Sequence, residues 1–235
     1  MKKATYCEKK FYEKFWKNLK GGYSGDEWHF SSKKAYPVVD QFISCAQKEK
    51  KKIFLDIGCG NGRHAVLFSK SGFKSFGIDL SQEAIVLAKK LAASENVKIN
   101  YTVGDVLHLP YRNDQFDVVL DSGCFHHLRK YQWSEYVKNV KNVLKKNGLF
   151  FLICFSIHSD GNIPRFWNGD HKRNWTKKKG HYNHIFKKQE IEKLFNKDFD
   201  ILKIREMTKG DFPLRFWVVW MRNKKIIKDL IPLLL

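Results

Sequence analysis

The chain has 235 residues, 43% of them hydrophobic and 15% aromatic, which supports a packed core and excludes a disordered chain. Lysine and arginine number 44 against 24 aspartate and glutamate, a formal charge of +20 that points to an anionic partner; only eight of the 44 are arginine, the side chain suited to gripping phosphates, so the surplus reads mainly as a lysine bias. Five scattered cysteines without a CxxC pair exclude a disulfide framework and a zinc finger, and the charged start Lys2, Lys3, Glu8, Lys9, Lys10 lacks the apolar core of a signal peptide, so a reducing cytoplasm is expected.

In chain order, Phe11, Phe15 and Leu19 recur every fourth residue beside Tyr12 and Trp16 and predict an amphipathic helix over 8–19. Gly21, Gly22 and Gly25 break it, and a second helix is expected over 33–48. Strands and helices then alternate: strands at 53–57, 75–79, 98–103, 116–121 and 149–155, helices from about 62, from Ser81 and over 132–145. Such alternation with apolar strands argues a parallel sheet covered on both faces. After it come an irregular polar and aromatic insert at about 157–186, a helix at 187–195 and two β-rich runs, 199–205 and 214–221, that read as an antiparallel hairpin. The expected organisation is a helical N-terminal cap over 1–50 on a core over 51–235. The longest apolar stretch, 149–157, is less than half of the roughly 20 residues that span a bilayer, so no stable membrane insertion is expected. The apolar end, 226–235, is suited to docking on the body or a second copy, giving a monomer or homodimer.

The sharpest motif is Asp56-Ile57-Gly58-Cys59-Gly60-Asn61-Gly62, a strand ending in an acid and a glycine turn that opens a helix. Glycines allow tight turning and close approach to a ligand, and the helix N-terminus offers N–H groups to an anion. Arg63 stands where a dinucleotide motif needs its third glycine, and no P-loop GKS/T follows. Two more acids end the next strands, Asp79 before Leu80 and Asp105 before Val106, placed to accept ribose hydroxyls and an adenine amino group. Three carboxylates around one crevice suit a cation better than a pyrophosphate.

Residues 53–155 resemble the core of the class I S-adenosylmethionine-dependent methyltransferases, with a looser likeness to the thiopurine and tellurite-resistance small-molecule enzymes. The resemblance rests on the glycine motif, Asp79, Gly104-Asp105, Phe116-Asp117-Val118-Val119 and Leu144-Lys-Lys-Asn-Gly148-Leu149. It implies a doubly wound α/β fold, a seven-stranded mostly parallel sheet with an antiparallel last strand, and S-adenosylmethionine as cofactor. It further implies that Asp56, Gly58, Cys59, Gly60, Asn61 and Gly62 shape the methionine pocket, Asp79 and Leu80 hold the ribose, Asp105 and Val106 the adenine, with Asp121 at the methionine border.

Methyl transfer is an in-line displacement in which alignment does most of the work, aided by a base of pKa near 7 where the nucleophile carries a proton. His126 and His127, after the fourth strand, are the candidate bases. Trp28, His181 and His184 are candidate acceptor-side residues, and Cys59 reads as a small filler. No compact spacing suggests a metal site. The lean chain carries no appended binding module, so the expected acceptor is a small molecule with a sulfur, other chalcogen or nitrogen nucleophile. Methylation of tRNA is the alternative, since wobble-uridine enzymes share a similar Phe-His-His-Leu segment, and a non-catalytic cofactor-binding subunit is the third reading.

Overall fold

The computed structural model describes residues 3–19, 32–159, 175–178, 181–209 and 212–224. The candidate acceptor-side residue Trp28, most of the insert expected at about 157–186 and the apolar end at 226–235 lie outside the described residues.

The strands are β1 (Ile53–Ile57), β2 (Lys74–Asp79), β3 (Asn100–Val103), β4 (Phe116–Ser122), β5 (Leu144–Phe155), β6 (Trp175–Lys178), β7 (His181–His184), β8 (Phe199–Lys209) and β9 (Phe212–Asn223). The helices are α1 (Lys3–Asn18), α2 (Val38–Lys48), α3 (Arg63–Lys70), α4 (Gln82–Ser94), α5 (Trp133–Val143) and α6 (Lys188–Phe195), with 3-10 turns at Phe125–His127 and Lys130–Gln132. The main sheet has the order β3-β2-β1-β4-β5-β9-β8. Neighbours from β3 to β5 pair in parallel, whereas β9 is antiparallel to both β5 and β8, so β9 alone runs against the rest. The chain winds outward from β1 to one side and then returns to β4 on the other. That switch opens a crevice beyond the carboxyl ends of β1 and β4.

The near-continuous apolar runs come from burial on both faces. Leu55, Val119, Phe150 and Leu152 join one core with Phe125, Tyr136, Phe195 and Val219, while their neighbours Phe54, Val118, Leu120, Phe151 and Ile153 face the other with Phe42, Phe68 and Trp220. Alternation every second residue therefore splits each strand between two helical layers. Phe54 and Phe68 stack with ring centres 3.6 Å apart, fixing α3 against β1.

Local features differ from the sequence expectation: the insert expected to be irregular carries the antiparallel β6–β7 pair, and β5 begins at Leu144 instead of at 149. The second helix begins at Val38 instead of about 33, because Pro37 at its N-cap biases the preceding residue away from helical backbone. In α1 the most buried positions are Glu8 and Trp16, on the stripe Glu8-Tyr12-Trp16, whereas Phe11, Phe15 and Leu19 are only half-buried. The helix turns this mixed stripe inward because it faces the polar crevice.

Candidate active site

The crevice is floored by the turn between β1 and α3. Gly58 and Gly60 have φ of +64° and +53°, conformations that side-chain-bearing residues rarely adopt. A Cβ on Gly58 would lie 2.5 Å from Cys124 Cβ, and one on Gly60 would lie 2.9 Å from Trp16 Cζ2. The turn is therefore enclosed by the end of β4 on one side and by α1 on the other. Around it, Asn61 is buried and donates to the Ser32 carbonyl at 3.0 Å, and the buried Cys59 packs close to Gly77. Arg63 donates to the Lys34 carbonyl and lies over the Tyr36 ring.

Four acids stand at or just beyond the ends of four adjacent strands. Asp79 accepts from the N–H of Gly60 at 2.8 Å and of Ser81 at 2.9 Å. Burial pushes its carboxyl up to about 6 despite these bonds. Asp56 is 1% exposed and its Oδ2 has no hydrogen-bond partner. Burial, together with the nearby Asp121 and Asp79, pushes its carboxyl well above the carboxylate range against the pull of Arg63. Asp121 is also raised to about 6 by burial, but its oxygens are engaged by the N–H groups of Cys124 (2.8 Å) and Phe125 (3.2 Å) and by the Tyr136 hydroxyl (2.5 Å). It therefore ties down the turn after β4. Asp105 is half-buried after β3, accepts from Leu107 N–H at 2.9 Å, and is followed by the buried Val106; Leu80 is half-buried beside Asp79.

The histidines divide. His126 is 3% exposed, its ring centre 4.0 Å from that of Phe155. His127 is half-buried, with Nδ1 3.0 Å from the Tyr182 carbonyl and its ring against Tyr12. Since a carbonyl only accepts, Nδ1 carries the proton and Nε2 is the ring's acceptor nitrogen in the neutral form. His184 is packed away from these groups: it is buried between Trp133 and Phe186, with Nε2 3.4 Å from Glu190 Oε1 of α6. His181 lies in β7 opposite Lys178. Burial and neighbouring acids raise the thiols of Cys59 and Cys124, which keeps both protonated.

Sequence reasoning missed the part played by α1. Glu13 accepts from the Ser81 hydroxyl (2.9 Å) and from the N–H groups of Gln82 (2.9 Å) and Glu83 (3.2 Å), capping α4 beside Asp79. Burial, with the acids Glu8 and Asp79 nearby, raises the Tyr12 hydroxyl. Glu8 faces Arg129, whose guanidinium lies 4.2 Å from the centre of the Tyr182 ring. The i, i+4, i+8 spacing of Glu8, Tyr12 and Trp16 is the signal that would have found this face. Among the described residues, no three His, Cys, Asp or Glu side chains are grouped to hold a metal, and no helix is long and apolar enough to cross a membrane.

Buried carboxylates that lack a matching cation form a receptor for a positively charged ligand. The unpartnered Asp56 oxygen and the side-chain-free turn at Gly58 and Gly60 fit S-adenosylmethionine, whose sulfonium and ammonium carry that charge. A family profile described as a methyltransferase domain matches residues 54–148. An uncharacterized methyltransferase of Schizosaccharomyces pombe is 31% identical over 140 residues, covering 60% of this chain and 90% of the relative. Ajmaline N-methyltransferase of Rauvolfia serpentina is 30% identical over 52% of this chain and 44% of its own length. The tRNA (carboxymethyluridine(34)-5-O)-methyltransferase of Saccharomyces cerevisiae is 29% identical over 60% and 49%. In fold, magnesium protoporphyrin IX methyltransferase of Synechocystis PCC 6803, with S-adenosylhomocysteine bound, superposes with a TM-score of 0.70 at 13% identity, covering 94% of this chain and 100% of that one. The chain belongs to the class I S-adenosylmethionine-dependent methyltransferases.

Proposed function

We propose that the chain methylates a small-molecule acceptor at sulfur, another chalcogen or nitrogen. When bound, S-adenosylmethionine supplies an electrophilic methyl group on a sulfonium leaving group. In this reading Gly58 to Gly62 cradle its methionine part, Asp56 faces the ammonium, Asp79 with Leu80 holds the ribose, and Asp105 with Val106 borders the adenine. Asp121 acts as a positioning residue through the turn after β4. His127 accepts the acceptor's proton at Nε2, and the buried His126 shapes the wall beside it.

The observation that carries the small-molecule reading is enclosure. Both roofing elements come from the chain itself: Tyr12 of α1 and Tyr182 of β7 lie against His127, and the neighbouring His126 is 3% exposed. An acceptor side bordered this closely by the chain's own residues suits a compact acceptor better than a nucleotide within a folded polymer. The yeast relative's tRNA activity and the +20 charge favour the alternative. A labelled-methyl assay across thiols, amines, chalcogenides and bulk tRNA separates them. Label is expected in a small product, at a rate little affected by salt. Label confined to tRNA and falling steeply with salt overturns the proposal.

A further inference from the structure

The acceptor side holds a charged group with no assigned task. Glu8 of α1 is 6% exposed, and its Oε1 accepts no hydrogen bond. The cation facing it, Arg129, stops with Nε 3.7 Å from that oxygen, and this Nε also lacks an acceptor. The guanidinium lies instead over Tyr182. A buried carboxyl whose nearest cation falls short of bonding distance is a costly arrangement for a folded chain alone, and a donor arriving in the gap relieves it.

We infer that Glu8 is a specificity-determining residue that selects acceptors bearing a protonated amine, its Oε1 taking a charge-assisted hydrogen bond from the ammonium while Tyr12 and Tyr182 flank the apolar part of the molecule. This rests on the small-molecule reading above and deepens it by naming the substrate class. Three observations converge. The Glu8 carboxyl is near enough to act electrostatically on Tyr12, Tyr182 and Cys124, the groups that border His127 and the glycine turn. A second acid, Asp105, lies close enough to act on the Glu8 carboxyl, against the larger opposing effect of Arg129. Among the described residues Arg129 is the cation that faces Glu8, and with its guanidinium over the Tyr182 ring it stays beyond hydrogen-bonding distance of Oε1. Aromatic faces beside a carboxylate form an environment suited to an ammonium group.

The arrangement also sets a pH window. Burial, opposed by Arg129 and reinforced by Asp105, moves the Glu8 carboxyl up to about 7. The groups facing it are Tyr12 on its own helix, Asp105 after β3, Cys124 after β4, Arg129 after the 3-10 turn and Tyr182 on β7, with His127 beside both tyrosines. Amine affinity should therefore be full above about pH 7 and fall below it as the carboxylate is lost.

The test is calorimetric binding to the full chain in the presence of S-adenosylhomocysteine, using phenethylamine and tryptamine against their alcohol isosteres, which lack the charge but keep the shape. Wild-type protein is expected to bind each amine about ten-fold or more tightly than its alcohol at pH 8. The preference should shrink as pH falls to about 5.5, and Glu8→Gln should bring the ratio close to one at every pH. The alcohol serves as the internal control for any loosening of the roof, and the pH profile of Glu8→Gln separates Glu8 from His127. No amine preference in wild type, or a preference that survives in Glu8→Gln, overturns the inference. Methylation of thiols or chalcogenides together with no amine preference sinks the amine assignment and leaves the small-molecule reading standing, whereas methylation of tRNA alone sinks both.

Discussion

At the residue scale, the proposed reaction gives the two adjacent histidines separate tasks because the chain presents them differently. The Tyr182 carbonyl fixes the His127 tautomer, while His126 packs at a tilt against Phe155 and is almost wholly covered. Replacing His127 by Gln is expected to lower kcat for a thiol or amine acceptor about 100-fold at neutral pH, as loss of a positioned base does. The same change at His126 should act mainly through KM and thermal stability. Steady-state kinetics on both variants checks this, and a larger kcat effect at His126 reverses the assignment. Asp121 illustrates what a motif leaves unsaid. Its position at the edge of β4 was legible from the sequence, but the Tyr136 hydroxyl that occupies it comes from α5, fifteen residues on, and no local pattern links the two.

At the element scale, the sheet, the glycine turn and the acids at the strand ends could be read because each is fixed by local chemistry: burial on both faces gives continuous apolar runs, and a tight turn needs glycine. The role of α1 could not be read the same way. Its aromatic residues fit either helical face, and the choice between the stripe at 11, 15 and 19 and the one at 8, 12 and 16 is made by the crevice that Glu13 and Trp16 meet. Glu13 ties this helix to the start of α4. Burial alone would raise its carboxyl, but bonds from Gln82, Glu83 and Ser81 hold it below the usual value, so it stays ionised as the cap of α4. Glu13→Ala is expected to cost about 1 kcal/mol through loss of the cap. It should also speed limited proteolysis within α1, an effect reversed by saturating cofactor. Proteolysis at the wild-type rate would show that α1 is held by its aromatic contacts instead.

At the scale of the whole molecule, the charge distribution separates two questions that composition merges. The net +20 belongs to the chain, whereas the crevice carries Asp56, Asp79, Asp105 and Asp121. Because the folded Asp79 carboxyl lies near 6, above its ordinary 3.8, the ligand-free fold binds more protons than the unfolded chain between these values. Its contribution to stability therefore falls as pH rises from about 4 to about 6, by roughly 3 kcal/mol, and is constant above. Ribose hydroxyls donating to the ionised Asp79 carboxylate offset that loss, so the rise in melting temperature on adding S-adenosylmethionine should be larger at about pH 7.5 than at about pH 5. Equal shifts at both would show that Asp79 does not meet the ribose. The measurement that tests the account most directly is the initial rate of labelled-methyl transfer against S-adenosylmethionine concentration for wild type and Asp79→Ala. Loss of charge-assisted hydrogen bonds to the ribose is expected to raise the cofactor KM about ten-fold or more. An unchanged KM would contradict the placement of the cofactor in this crevice.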